Sequence, residues 1–130
     1  MLPKVLLVED DDVIREIYAM KFELEGFPVA TAENGKIGLK MLSDFEPHIV
    51  LLDMMMPVMG GLEFMQALKD SGRDMPDVVV FSNMSAQRQV DSVMRLGAKA
   101  YWTKSDYTPE RVATELLELW KAKSPQGGQA

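Results

Sequence analysis

The sequence predicts a doubly wound α/β domain built on a five-stranded parallel sheet. Three observations carry this. The runs KVLLV, IVLL and VVVFS are apolar nearly throughout, as strands buried on both faces must be. Each run is followed by a longer segment of helical period. The alternation recurs five times without any internal repeat of sequence, which is the pattern of consecutive β–α units.

Taken in order, Lys4–Val8 reads as a buried strand, and the helix after it carries Ile14, Ile17, Tyr18 and Leu24 on one face. Asp11 or Asp12 caps that helix and Gly26 stops it. Phe27–Ala32 is a weaker strand whose Pro28 suits a sheet edge. Asn34-Gly35 turns into a helix over Ile37–Phe45, and His48–Asp53 is the next strongly apolar strand. A helix over Leu62–Leu68 follows the glycine pair, and Asp70–Asp77 is loop. Val78–Ser82 is a central strand, and Ser85 is the expected N-cap of a helix bearing Val90, Val93, Met94 and Leu96, ended by Gly97. Ala98–Thr103 is the fifth strand. Thr108-Pro109-Glu110 then combines an N-cap, a proline at the first helical position and an acid against the helix dipole, and starts a helix running to about Lys123. The chain thus divides into one domain over 1–123 and a polar tail, SPQGGQA, over 124–130.

Composition narrows the functional classes. The chain has 130 residues, enough for one core and too few for two ordinary domains. It has no cysteine, which excludes thiolate chemistry and disulfides. No apolar run approaches the roughly 18 residues of a membrane span, and MLPKVLLVEDDD lacks the features of a signal peptide. A cytoplasmic location is the default expectation. The formal charge of −6 opposes binding to a nucleic-acid backbone and suits a protein that handles cations.

In a sheet of this type ligands bind beyond the carboxyl ends of the strands, so each strand's last residues are site candidates. Those ends carry Glu9-Asp10, Asp53, Ser82-Asn83 and Lys104. Singly, most of them are ordinary: Glu9–Asp12 resembles a solvated loop with a helix cap, Ser82 a strand-end hydroxyl, Lys104 a surface charge. Asp53 is different, because an acid abutting IVLL is drawn into the interior and needs a partner there. Two carboxylates about 4 Å apart repel by roughly 4 kcal/mol at an effective dielectric near 20. Proton uptake, a lysine or a divalent cation can offset that. Mg2+ fits, since it takes hard oxygen ligands and commonly uses one or two carboxylates beside a phosphoryl oxygen. Lys104 and Ser82 would then be free for the other phosphoryl oxygens, and Asp53 is equipped as a nucleophile forming an acyl phosphate.

KVLLVEDD, VLLDMMMPVMGG, VVVFS and GAKAYWTK, in that order from Pro3 to Lys123, resemble the receiver domain of bacterial two-component response regulators. The resemblance implies a flavodoxin-like strand order, 2-1-3-4-5. It makes Asp53 the phosphoacceptor and places Glu9 and Asp10 around Mg2+, with Met55 lending its backbone carbonyl. Ser82 becomes the switch hydroxyl, Lys104 the phosphoryl-binding lysine and Tyr101 the switch aromatic. It also implies a signalling protein rather than an enzyme, limited to Mg2+-assisted self-phosphorylation and self-dephosphorylation. The donor would be a histidine kinase or phosphotransfer protein. The output domain or protein is unspecified, and would be reached through the face of the fourth helix, fifth strand and fifth helix, which is also the face for a homodimer. Pro57 would stiffen the loop after the acceptor, and Gly61 would take a backbone shape that side chains forbid.

Three positions depart from the family pattern. Asn83 stands where a small residue usually follows the switch hydroxyl, Gly60 where a polar residue is common, and Ser105 where proline usually follows the lysine through a cis bond. A cis bond before serine costs roughly 2.5–4 kcal/mol, so a trans bond is expected here. A phosphorylation-independent interaction module on the same fold is the main alternative function. A haloacid-dehalogenase-type phosphatase would need a second aspartate where Met55 stands, and a flavin binder would need a phosphate loop where EDDD repels phosphate. His48 lies five residues before Asp53, ~16 Å away at ~3.3 Å per residue, and reads as a loop-edge residue. The 11 methionines read as adaptable core filler, and Trp120 as core or partner surface. A stand-alone receiver and a domain cut from a longer regulator both fit the sequence.

Overall fold

The computed structural model describes residues 1–123, and the polar tail expected over 124–130 lies outside the described residues. The elements are β1 (Val5–Val8), α1 (Asp12–Leu24), β2 (Val29–Ala32), α2 (Gly35–Phe45), β3 (Ile49–Leu52) and α3 (Gly61–Asp70). They continue with β4 (Asp77–Ser82), α4 (Gln87–Arg95), β5 (Ala100–Thr103), a 3-10 turn at Lys104–Asp106 and α5 (Pro109–Lys123). The five strands form one parallel sheet in the order β2-β1-β3-β4-β5. Pro28 therefore does precede an edge strand, as expected.

The period of two along each strand divides the core into two layers. Leu6, Val8, Val50, Leu52, Val78 and Val80 face one side, where Leu42, Phe64, Met65, Leu68 and Val93 of α2, α3 and α4 cover them. Val5, Leu7, Ile49, Leu51, Val79 and Phe81 face the other, under Tyr18 and Phe22 of α1 and Val112, Ala113 and Leu116 of α5. Helices on both faces explain why β1, β3 and β4 are buried along their whole length.

Caps fix where several helices begin. The Asp11 carboxylate accepts from the N–H groups of Val13 and Ile14, and Asn34 Oδ1 from Ile37 N–H at 2.9 Å. Thr108 Oγ1 accepts from Arg111 N–H at 3.1 Å, as its sequence predicts. Ser85 does not cap α4. That role falls to Ala86, which offers no side-chain bond, because Met84 and its neighbours are occupied in a loop tied to the sheet.

The face expected for α1 is also corrected. Ile14, Tyr18 and Phe22, spaced by four, pack on the sheet, whereas Ile17 and Leu24 are exposed. They belong to a separate stripe with Val13 and Met20, about a third of a turn around the helix. Met54 and Met65 are core, while Met20, Met55 and Met94 are exposed, so the methionines are filler only in part. Trp120 packs against His48 with ring centroids 4.7 Å apart, and its Nε1–H donates to the Met1 carbonyl at 3.3 Å. His48 Nδ1 accepts from the Lys4 N–H at 3.0 Å, at the amino end of β3 and so at the opposite end of that strand from Asp53.

Candidate functional site

The strand order reverses direction between β1 and β3, and the crevice at their carboxyl ends is where this architecture binds ligands. Glu9 directly follows β1, Asp53 directly follows β3, Ser82 closes β4 and Lys104 directly follows β5. The parallel register sets Glu9 level with Asp53, Ser82 one position further along β4 and Lys104 two positions further along β5, all at the carboxyl edge of the sheet. Glu9, Asp53 and Ser82 are buried, and Asp10 beside them is exposed.

Lys104 holds the centre. Its Nζ lies 2.6 Å from Glu9 Oε1 and 3.0 Å from Asp53 Oδ2, so one ammonium bridges two buried carboxylates and offsets part of their charge. The lysine is thus one of the expected offsets to the carboxylate repulsion, in contact with both acids. Burial alone would lower the Lys104 pKa, but the hydrogen bond to Glu9 and the charge of Asp53 together raise it above 10.5. Burial raises the Glu9 pKa above 4.5, opposed by the bonds from Lys104 and from the Asp11 N–H, the latter 3.1 Å from Oε2.

The second Asp53 oxygen, Oδ1, accepts from the Met55 N–H at 3.2 Å, while the Met55 side chain is exposed. Asp53 thus has one oxygen on an ammonium and one on an amide. One carboxylate oxygen from each of Glu9, Asp10 and Asp53 can be chosen so that all three lie within 4.8 Å of one another. Three hard anionic oxygens at that spacing suit a small divalent cation such as Mg2+. An open cavity of about 350 Å³ adjoins Asp53 and is lined also by Met55, Ser82, Asn83, Met84 and Lys104.

Ser82 Oγ accepts from the Met84 N–H at 3.3 Å. The half-buried Tyr101 donates its hydroxyl to the Met84 carbonyl, linking β5 to the loop after Ser82. Every site residue expected from the strand ends is therefore in one cluster, with Tyr101 one bond away. Arg15 was not expected. Its guanidinium reaches the Glu9 carbonyl at 2.8 Å and pairs with Asp12, and no local pattern in the sequence marks it for that position.

Pro57 lies in the loop after Asp53, but Gly61 departs from expectation. Its φ is not positive; a Cβ there would instead lie 2.6 Å from the Asp53 carbonyl oxygen. Room, not backbone shape, requires glycine at 61. Among the described residues no peptide bond is cis, so Ser105 follows Lys104 through a trans bond, as its identity predicts.

The family model for the response regulator receiver domain matches residues 5–117. The chain belongs to this family. Among curated relatives of this receiver domain, response regulator MprA of Mycolicibacterium vanbaalenii is 29% identical over 96% of the chain and 53% of its own length. A probable transcriptional regulatory protein of Picosynechococcus is 36% identical, over 85% of the chain and 46% of its own length. The receiver thus spans about half the length of these relatives. A CheY-like receiver domain from Methanospirillum hungatei shares the fold with a TM-score of 0.86 at 22% identity, covering 98% of this chain and 100% of that one. The two-component signalling class and the five-stranded flavodoxin-like order expected from the motifs are both borne out. Among the described residues no helix is long and apolar enough to cross a membrane.

Proposed function

We propose that this receiver is a switch phosphorylated on Asp53 by the phosphohistidine of a partner kinase or phosphotransfer protein. The observation that carries the reading is the buried contact of Lys104 with both Glu9 and Asp53 beside an open cavity. A carboxylate oxygen of Asp53 attacks phosphorus, the P–N bond to the imidazole breaks with its electron pair, and the imidazole takes a proton from solvent. The product is an acyl phosphate. Glu9, Asp10, Asp53 and the Met55 carbonyl would hold Mg2+, which when bound supplies charge neutralisation at the transferring phosphoryl group. Lys104 moves its hydrogen bonds from the carboxylates to a phosphoryl oxygen, and Ser82 donates to another.

The output follows from the connections already described. Ser82, its loop and Tyr101 form a chain of bonds, so a Ser82 drawn toward phosphate loosens the Met84 carbonyl from Tyr101. That biases a two-state face made of α4, β5 and α5, the surface for an output partner or a second copy. A cytoplasmic location, and no direct contact with nucleic acid, go with this reading and with the charge of −6. The described domain, within 1–123, is the switching unit.

Incubation with acetyl phosphate and Mg2+ followed by intact mass measurement tests the proposal. One phosphoryl adduct is expected, absent in Asp53→Asn and without metal. A wild-type protein that stays unmodified throughout would favour a phosphorylation-independent interaction module instead. The adduct is also expected to outlast seconds. Met55 and Met84 flank the cavity and offer no polar group to orient an attacking water. Loss within seconds from the isolated protein would rule that out, and Met55→Asn should shorten the lifetime.

A further inference from the structure

Two residues at the mouth of the site are joined in a way that the phosphorylation reading does not use. The Ser105 N–H donates to Asn83 Oδ1 at 2.9 Å, a bond between residues 22 positions apart. The β4–β5 ladder ends at the pair Ser82 and Thr103. Asn83 and Lys104 come next on the two strands. The side-chain carbonyl of Asn83 therefore carries the pairing past the last backbone rung and fastens the 3-10 turn that bears Lys104.

We infer that Asn83 is a positioning residue, which through the Ser105 amide holds Lys104 at the depth where its ammonium reaches Asp53. The chemistry requires both partners. An alanine at 83 has no acceptor, and a proline at 105 has no N–H to give. Lys104 sits on a turn of only three residues, Lys104–Asp106, whose own closure is a Tyr107 N–H to Lys104 carbonyl bond at 3.1 Å. With Asn83 attached, the lysine's backbone is held from the strand side and from the turn side. The same bond means that when the loop after Ser82 moves, the turn carrying Lys104 is pulled with it.

The inference rests on Asp53 being the phosphoacceptor, so two readouts are needed. The first is amide hydrogen exchange at Ser105 in the unphosphorylated protein, followed by NMR. Asn83→Ala should accelerate it about fivefold, the worth of one net hydrogen bond, and Asn83→Asp, which keeps the acceptor oxygen, should restore it. The second is the rate constant of phosphorylation by acetyl phosphate with Mg2+. Asn83→Ala and Ser105→Pro should each lower it by about fivefold, and the double variant should be no slower than either single one. Unchanged Ser105 exchange in Asn83→Ala overturns the inference. So does a faster reaction in Asn83→Ala, which would make the side chain a mere obstruction, or single effects that multiply in the double variant. A wild-type protein that takes no phosphoryl group sinks the phosphoacceptor reading, and the tether is then decided by Ser105 exchange alone. Should Ser105→Pro not fold, the two Asn83 variants still decide it.

Discussion

Lys104→Met is expected to slow phosphorylation by acetyl phosphate by about 100- to 1000-fold, the usual effect of removing a preorganised charge from a developing anion. Methionine nearly preserves length and packing, so the loss isolates the ammonium. The same change should destabilise the fold. It leaves Glu9 and Asp53, both buried, facing each other without the cation that now touches both at 2.6 and 3.0 Å. Removing one partner of such a buried group costs about 3 kcal/mol.

The pH dependence of that cost is the sharper test. In the wild type Lys104 has a folded pKa raised above 10.5, so its stabilisation is fully present below 10.5 and is lost as pH rises through the folded value. In the variant the bond that opposed the burial of Glu9 is gone, and the Glu9 pKa rises further above 4.5. A carboxyl raised in the folded state binds its proton more tightly there. The variant should therefore recover stability as pH falls from the folded Glu9 pKa toward 4.5. Urea midpoints at pH 8 and pH 5 measure this. A wild-type-to-variant gap of equal size at both values would contradict the account.

The second large effect is structural. Gly61→Ala should cost about 3 kcal/mol, the upper end for overpacking. The new Cβ would stand 2.6 Å from the Asp53 carbonyl oxygen and 2.9 Å from Met54 Cα, and these backbone atoms cannot swing aside. The loop can relieve the clash only by displacing the strand end that presents Asp53, so phosphorylation should slow as well. Gly72→Ala separates the two reasons for a glycine. Gly72 has φ +72, and a methyl added there would meet nothing within 4 Å, so only the left-handed backbone is penalised, by about 1 kcal/mol. Urea titration of both variants should rank Gly61→Ala well below Gly72→Ala. The reverse order would show that conformation, not room, matters at 61.

How much of this was visible beforehand depends on the range of the interaction. The strands KVLLV, IVLL and VVVFS lie within a residue or so of β1, β3 and β4, because burial on both faces writes an unbroken apolar run into the chain. Asp11, Asn34 and Thr108 mark helix starts because a cap acts on amides two or three residues away. Local chemistry did not suffice for α1, where two apolar stripes run side by side and only the packing of α1 on the sheet chooses Tyr18 and Phe22 over Ile17 and Leu24. It did not suffice for Ser85 either, since the Met84 bonds to Ser82 Oγ and from the Tyr101 hydroxyl keep that loop out of the helix.

The site divides along the same line. The sequence alone determined a parallel sheet and the residues at its strand ends, since β–α alternation dictates which end of each strand faces a ligand, and Glu9, Asp10, Asp53, Ser82 and Lys104 follow from it. Only the tertiary structure decided how those groups are engaged. Lys104 meets Asp53 across 51 positions of chain and meets Glu9 as well, Asn83 meets Ser105, and the Asp53 carbonyl leaves no room for a side chain at 61. Each of these is a contact of a few ångströms between strands or loops remote in sequence. Their distances depend on sheet register and helix packing, which are properties of the assembled core and not of any one segment.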